Sequence, residues 1–327
     1  MKLTQSQAKK ICKQYNLGDL KSFKAFPGGL VNYNFKLTTE KGNFVLRILG
    51  SKMDDWKTTK FYLEQDVLKH LKKKKFPYKI PRAIKSIDGE ILGKIGKYNY
   101  WIYSFLEGKT DVELNNERLK EIAKAISVYY LAIKDFKIDK THRFLSAVWL
   151  LESYKNLGKQ LKKIKNPNKI DKLMKDNFDE FFNILKEISK INLKIKPIVA
   201  HGDMINSNVL FKGNKIVGII DFDNLRIAPR TEDIAYALRL HSVNHDGLNK
   251  KRFNLMLNEY ERKTKLTKRE KQLIFPLMLL SNLTVFWWMY TKMKKGLDKK
   301  YEMINWTIKT TKEIEKEWKN GPIHNNH

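Results

Sequence analysis

The chain has 327 residues and a formal net charge of +30, from 65 Lys and Arg against 35 Asp and Glu. Since 42% of the residues are hydrophobic and 31% are charged, the composition is that of a folded chain with a sizeable core and excludes a disordered one. An excess of basic residues is typical of nucleic-acid binding. In this chain, however, the lysines are spread over nearly every predicted helix, and no basic-aromatic motif accompanies them. The sequence therefore favours a generally Lys-rich composition, and we expect no nucleic-acid partner.

The cysteine count and the apolar segments indicate the cellular compartment of the protein. A single cysteine, Cys12, rules out an intramolecular disulfide. The N-terminal sequence lacks the apolar run of a secretory signal peptide. The longest apolar stretch, residues 274–290, contains Pro276 and several polar residues and is short for a membrane span, which predicts a buried helix. We expect a cytoplasmic protein with no membrane partner.

The first elements of the chain are a helix and three strands. Thr4 and Gln7 have the spacing of a capping box and predict a helix that ends near Tyr15. Residues 23–49 read as three strands, with Gly28 and Gly29 in the first turn. Two glycines let a backbone approach a phosphate closely, although most turns of this kind are plain hairpins.

Two charged residues follow in a strand and a helix. Arg47 lies on the third predicted strand, and Glu64 lies midway along a helix predicted over residues 54–74. The ordinary interpretation makes Arg47 an exposed strand residue and Glu64 a solvated surface acid. Residues 84–94 then predict a strand pair with a turn at Asp88-Gly89.

The remainder of the chain is mostly helical in pattern. An apolar strand over residues 99–108, which ends in Glu-Gly, is followed by helical periodicity over 119–133, 147–161 and 170–191. A capping box of Thr267 with Glu270 predicts a helix that runs to Met293.

The stretch that carries chemistry comprises residues 201–210, His-Gly-Asp-Met-Ile-Asn-Ser-Asn-Val-Leu, and residues 219–223, Ile-Ile-Asp-Phe-Asp. Two apolar runs broken by Gly-Asn-Lys separate them, which predicts a hairpin between two loops. Such a hairpin would bring Asp203, Asn208 and Asp221 to one point. The pattern is an Asp, an Asn five residues later, and an Asp-Phe pair after a hairpin. This order of residues is typical of the catalytic and metal-binding loops of phosphoryl-transfer enzymes.

These two motifs resemble those of the aminoglycoside phosphotransferase and choline kinase superfamily, which includes type II homoserine kinases. The resemblance implies a bilobal, protein-kinase-like α+β fold. A small antiparallel-sheet lobe over residues 1–105 would clamp the nucleotide, and a large, mainly helical lobe over residues 106–327 would carry the catalytic loop and the acceptor site. The hinge between them would bind adenine through backbone groups near Ser104 and Leu106.

The resemblance also implies roles for the catalytic residues. Asp203 would be the general base or would orient the attacking hydroxyl. Asn208 and Asp221 would hold Mg²⁺, because their oxygens are the hard donors that this ion prefers. Asp223 and Asp233 could contact metal or only support the loops. Asp233 could equally be an ordinary acid at a helix N-terminus.

Four residues of the first lobe would complete a nucleotide site in such a family member. The loop with Gly28 and Gly29 would cover the nucleotide, and Arg47 would contact its phosphates, held by Glu64 as an ion-pair partner. Protein kinases have a Lys at the position of Arg47, whereas choline kinase-like members also have Arg there. The planar guanidinium of Arg is not equivalent to the ammonium group of Lys.

The function implied is transfer of the γ-phosphate of ATP, or of GTP, to a hydroxyl of a small molecule such as an amino alcohol, sugar or aminoglycoside-like compound. Ile205, two residues after Asp203, favours a homoserine kinase-like member over an antibiotic-modifying one. Acceptor specificity is expected around residues 239–242 and at Trp287 and Trp288, where core packing is the alternative role for the tryptophans. The alternative function is a pseudokinase that binds nucleotide or a partner without turnover.

Overall fold

The computed structural model describes residues 2–27, 31–50, 53–139, 147–191, 195–244, 246–292 and 297–321. In chain order the elements up to residue 133 are α1 (Gln5–Gln14), β1 (Leu20–Ala25), β2 (Tyr33–Thr39), β3 (Gly42–Ile48), α2 (Asp55–Lys73), β4 (Gly93–Ile95), β5 (Tyr98–Ser104) and α3 (Asn116–Ile133). Those that follow, up to Ser242, are α4 (Ala147–Lys162), α5 (Lys169–Ser189), β6 (Pro197–Ala200), β7 (Val209–Lys212), β8 (Lys215–Ile219), β9 (Arg226–Pro229) and α6 (Thr231–Ser242). The last are β10 (Val243–Asn244), β11 (Gly247–Leu248), α7 (Lys250–Glu261), α8 (Lys268–Gln272), α9 (Ile274–Thr291) and α10 (Leu297–Lys319).

The chain forms two compact units. The first comprises Met1–Thr110, Val209–Lys212 and Val217–Asp223. The second comprises Asp111–Asn208, Gly213–Ile216 and Asn224–His327. The chain therefore returns to the first unit after the His-Gly-Asp loop, through the hairpin of β7 and β8.

The first unit is built on a five-stranded antiparallel sheet with the order β1-β2-β3-β5-β4. The predicted capping box forms at the start of α1: Gln7 N donates to Thr4 Oγ1 at 3.2 Å, and Thr4 N donates to Gln7 Oε1 at 3.0 Å. The buried face of α1, with Ala8, Ile11 and Cys12, belongs to the same apolar core as the inner faces of β2, β3 and β5. This core fixes β3, the strand that carries Arg47.

The predicted strand pair over residues 84–94 is wrong. The turn exists, since Gly89 has a φ of +85° and its N–H donates to Ser86 O at 2.9 Å, but the flanking residues do not form a ladder. The strand β4 pairs instead with β5, and Gly93 stands opposite Tyr100. A Cβ atom at Gly93 would lie 2.2 Å from the Tyr100 ring, so the absence of a side chain there permits this pairing.

The second unit is mainly helical. Its helix α9 is apolar on all sides, as expected of a helix inside a core. Among the described residues, one helical stretch, Lys268–Thr291, is long and apolar enough to cross a membrane, and 72% of its most apolar window is buried within the protein. The predicted capping box of Thr267 and Glu270 forms, but the helix is interrupted at Leu273. Pro276 explains the break, because it has no N–H to bond four residues back. The predicted end at Met293 lies outside the described residues.

Candidate active site

The catalytic loop starts where β6 ends. In the antiparallel pair of β6 and β9, Ala200 stands opposite Arg226, and the chain then turns sharply at Gly202, whose φ is +79°. A Cβ atom at Gly202 would lie 2.4 Å from the carbonyl oxygen of Asn224. Both the backbone angle and the close contact therefore require glycine before Asp203.

Asp233 braces this turn from the first turn of α6. Its two carboxylate oxygens accept hydrogen bonds from the backbone N–H groups of His201, at 2.9 Å, and Gly202, at 2.7 Å. The predicted bracing contact is confirmed. Burial raises the pKa of Asp233 to about 6, although both N–H groups oppose the shift. A buried carboxylate with two backbone partners fixes the position of the loop.

The carboxylate of Asp203 is held by amide donors. Asn208 Nδ2 donates to Asp203 Oδ2 at 2.8 Å and to the Asp203 carbonyl oxygen at 2.9 Å, and Asn224 Nδ2 donates to Oδ2 at 3.3 Å. Burial raises the pKa of Asp203, while Tyr236, Arg226 and the two amides act in the opposite direction. The structure thus brings Asp203 and Asn208 together, and Asp203 stays half-buried, with its carboxylate oriented.

His201 has a structural position. It is fully buried, and its Nδ1 accepts the N–H of Asp203 at 3.3 Å. Its ring meets Tyr129 edge-on at 6.0 Å between centroids. This agrees with the prediction that His201 supports the loop and is not a proton carrier.

In the first unit, Arg47 binds the two aspartates of the acidic loop. Its Nη2 lies 2.7 Å from Asp221 Oδ1 and 2.6 Å from Asp223 Oδ2. Asn32 Nδ2 donates to the same Asp223 oxygen at 2.8 Å. Only 4% of Arg47 is exposed, so the interpretation as an exposed strand residue is wrong. Asp221 has a φ of +66°, a left-handed conformation that is unusual for a residue with a side chain and marks a constrained loop.

The direct pair of Arg47 with Glu64 does not form. Glu64 is buried, and burial raises its pKa to about 8 against the attraction of Arg47. Among the described residues no hydrogen bond joins the two side chains, and Glu64 Oε1 and Arg47 Nε have no hydrogen-bond partner. Two aspartates that face the guanidinium compete better for it than one carboxyl group that burial keeps protonated.

The predicted hinge lies at the end of β5. Ser104 is paired with Phe44 of β3, and Leu106 follows two residues later, half-buried. The Phe105 ring between them stacks on Phe26 at 6.3 Å, with the two planes 5° apart. Gly28 and Gly29 lie outside the described residues.

Sequence reasoning missed three residues that support Asp203, namely Asn224, Arg226 and Tyr236. Arg226 is bound by Glu232 at 2.7 Å and lies 5.7 Å from the centroid of the Tyr236 ring. Tyr236 is the only one with a sequence signal, because it lies three residues after Asp233 on the same predicted helix and so shares its face.

The candidate specificity residues lie in the second unit. Trp287 meets Trp149 edge-on at 5.2 Å and lines a cavity of ≈ 750 Å³, together with Tyr290, Asp171 and Lys300. The Tyr290 hydroxyl donates to Asp171 Oδ1 at 2.7 Å. Trp287 and Trp288 are half-buried and Trp149 is exposed, so this contact lies at the surface and is not the core packing of the alternative interpretation.

Comparisons with known proteins identify the class to which this fold and these loops belong. Residues 22–262 match the profile of the phosphotransferase enzyme family, APH. The chain therefore belongs to this family, as the His-Gly-Asp and Ile-Asp-Phe-Asp motifs predicted.

The sequence identity to individual relatives is low. The chain is 26% identical over 221 residues to a homoserine kinase of Agrobacterium fabrum, which covers 67% of this chain and 64% of that protein. It thus spans just under two thirds of that relative. It is 27% identical over 266 residues to a homoserine kinase of Bradyrhizobium diazoefficiens, covering 79% of this chain and 75% of that protein.

Solved structures share the fold at low identity. Spectinomycin phosphotransferase APH(9)-Ia, in complex with ADP and spectinomycin, matches with a TM-score of 0.69 at 13% identity over 96% of this chain and 99% of that chain. A microcompartment-associated aminopropanol kinase matches with a TM-score of 0.69 at 12% identity over 95% of this chain and 98% of that chain. These matches confirm the predicted protein-kinase-like α+β fold.

Proposed function

We propose that the protein transfers the γ-phosphate of ATP, or of GTP, to a hydroxyl of a small molecule. The observation that carries this proposal is the half-buried Asp203 carboxylate, oriented by Asn208 and Asn224 in a loop whose backbone Asp233 braces. A loose phosphoryl-transfer transition state needs positioning and charge stabilisation more than covalent chemistry. An oriented carboxylate that accepts the hydrogen bond of an acceptor hydroxyl supplies the positioning.

Asp203 would act on the acceptor in two ways. It accepts the hydroxyl hydrogen, which points an oxygen lone pair toward the γ-phosphate. It takes the proton as the new oxygen–phosphorus bond forms and the bond from the γ-phosphorus to the β–γ bridging oxygen breaks, which releases the nucleoside diphosphate. Its amide partners keep the carboxylate from rotating. Because burial raises its pKa, it is a better proton acceptor than a solvated aspartate.

The acidic loop has the donor set for Mg²⁺. Burial raises the pKa of Asp223, Arg47 opposes the shift, and the neighbouring Asp221 carboxylate adds to it. Two adjacent carboxylates of this kind require a cation, which Arg47 supplies in this structure. We infer that Asp221 and Asn208 would hold Mg²⁺, since both offer the oxygen ligands that it prefers. When bound with nucleotide, the ion would neutralise charge on the β- and γ-phosphates.

Arg47 would then change partners. A guanidinium on β3 can bind a phosphate with two donors, and the nucleotide phosphates would replace Asp221 and Asp223 as its anions. Ser104 and Leu106 at the end of β5, and the loop with Gly28 and Gly29, remain the proposed contacts for the base and the phosphates.

Homoserine is the first acceptor to test, because the curated relatives reported above are homoserine kinases. Amino alcohols come next, since one structural relative is an aminopropanol kinase. The alternative, a nucleotide-binding pseudokinase, predicts binding of nucleotide without acceptor-dependent turnover.

The test is acceptor-dependent nucleotide consumption by wild type, Asp203→Asn and the control Asp246→Asn, an exposed position of the same unit. Asp203→Asn should lower kcat by roughly a hundredfold or more with nucleotide affinity nearly unchanged. The control should retain wild-type turnover. Near-wild-type turnover of Asp203→Asn would exclude the proposed base.

A further inference from the structure

One buried arginine of the second unit differs from the others. Arg47, Arg226 and Arg230 have side chains that are 5%, 21% and 12% exposed, and each has a carboxylate partner within 2.7 Å. Arg239 of α6 is only 2% exposed, yet no carboxylate among the described residues lies within salt-bridge distance of it. A buried charge without an opposite charge is costly.

The contacts of Arg239 are neutral and incomplete. Its Nη1 donates to Asn282 Oδ1 at 2.5 Å, and its guanidinium lies 4.7 Å from the centroid of the Tyr236 ring. Its Nε is sealed from solvent and finds no hydrogen-bond partner among the residues that the structure describes. The Asn282 amide is itself held by Thr310 and Thr311, each at 3.1 Å, so it cannot reorient to offer more.

Arg239 adjoins the catalytic carboxylate through one side chain. Tyr236 lies one helical turn before Arg239 on α6 and interacts with both the Asp203 carboxylate and the Arg239 guanidinium. The Arg239 guanidinium lies 4.7 Å from the centroid of the Tyr236 ring, so one side chain adjoins both charged groups. Asp203 and Tyr236 are both partly exposed, so a small molecule can approach Arg239 from the side of Asp203.

The surroundings of Arg239 are electropositive. His241, two residues later, has a buried Nε2 that no described residue meets with a hydrogen bond. Burial lowers the pKa of His241 to about 4, and Arg239 and Arg252 add to the shift. The imidazole is therefore neutral at neutral pH, and the positive charge here is that of the guanidinium groups.

We propose that Arg239 binds a carboxylate of the acceptor, so that the preferred acceptor is a short hydroxy acid and not the corresponding amino alcohol. This inference rests on the proposed function, because it places the acceptor hydroxyl at Asp203. Because one side chain, Tyr236, adjoins both groups, a short carbon chain would connect the hydroxyl at Asp203 with the carboxylate at Arg239. The carboxylate supplies the anion that Arg239 lacks.

Matched pairs of acceptors measure the contribution of the carboxylate to kcat/KM. L-homoserine with propanolamine, L-serine with ethanolamine and L-threonine with isopropanolamine differ within each pair only by the carboxylate. A charge-assisted contact in a buried site predicts a kcat/KM roughly ten- to a hundredfold higher for the acid of the preferred pair. Arg239→Met should reduce this ratio to near one, and Arg239→Lys, which keeps the charge, should retain part of it.

Tyr236→Phe is the matched control. It removes the hydroxyl that acts on Asp203 but leaves the guanidinium, so it should lower kcat for both members of a pair by a similar factor and keep the ratio. An Arg239→Met variant that slows both acceptors equally would show that Arg239 only supports the fold. A wild-type preference for the amino alcohols would overturn the proposal directly.

Calorimetry separates this inference from the proposed function. Binding of the three acids and the three amino alcohols is measured with wild type and Arg239→Lys, without turnover. If no acceptor is phosphorylated but the acids bind in an Arg239-dependent manner, the proposed function fails and the carboxylate site stands. If the acids bind no better than the amino alcohols, the carboxylate site is refuted whether or not phosphate is transferred.

Discussion

Replacement of Asp233 by Asn tests whether the catalytic loop depends on a buried acid. An amide oxygen can accept from only one of the backbone N–H groups of His201 and Gly202, which leaves a buried donor without a partner. Turnover should fall, because the loop that carries Asp203 loses part of its brace.

The effect of Asp233→Asn should also depend on pH. The pKa of Asp233 rises from 3.8 to about 6 on folding, so the folded state binds this proton more tightly than the unfolded state. Its contribution to stability is complete below about pH 4 and is lost as the pH rises through about 6. Between about pH 7.5 and about pH 5 wild type should gain about 1.4 kcal/mol relative to Asn, which does not titrate.

Urea unfolding at the two pH values measures this difference, with Asp246→Asn as the control for loss of an acidic side chain. The free energy of unfolding of wild type minus that of Asp233→Asn should be about 1.4 kcal/mol higher at about pH 5 than at about pH 7.5. A difference that stays constant, or that falls toward acid pH, would refute the reasoning. A fall would mean that the two N–H bonds outweigh burial and hold the pKa below its usual value.

Four further substitutions test the two loops and the residues beside the acidic one. Asp221→Ala should weaken nucleotide binding with magnesium far more than without it in calorimetry, and an unchanged metal dependence would exclude Asp221 as a ligand. Glu64→Gln should leave the unfolding temperature at neutral pH nearly unchanged, since the carboxyl group is protonated there. Arg47→Met should destabilise the protein by about 3–5 kcal/mol, because it leaves two aspartates without their cation. A larger destabilisation by Glu64→Gln than by Arg47→Met would contradict this account. Gly202→Ala should destabilise the protein by at least about 1–2 kcal/mol, because φ is +79° and a Cβ would overlap a carbonyl oxygen. If this variant unfolds at the same temperature as wild type, the turn relaxes at no cost.

Local sequence signals predicted much of the fold. The capping boxes at Thr4 and Thr267 and the first three strands depend on residues close in sequence, and all of them form. The strand pair over residues 84–94 failed because its turn signal was local, whereas the actual partner of β4 is β5 across a second turn. The preference for β5 depends on tertiary packing of its apolar residues, which the turn at Gly89 does not reveal.

The site was predictable in its motifs but not in its pairings. The spacing of Asp203 and Asn208 within one loop predicted their contact, and the hydrogen bond forms. The pairing of Arg47 depends on competition among buried carboxyl groups, which only the folded environment sets. The left-handed backbone of Asp221 likewise has no sequence signal, because it is not a glycine.

The measurement that tests the central claim most directly follows the γ-phosphate itself. Nucleotide labelled in its γ-phosphate is incubated with wild type, magnesium and each hydroxyl acceptor, and the products are separated. The account predicts label in a phosphate ester of an acceptor, and loss of that product in Asp203→Asn. Nucleotide that binds but leaves its label only in the nucleotide or in inorganic phosphate, with every acceptor, would contradict it.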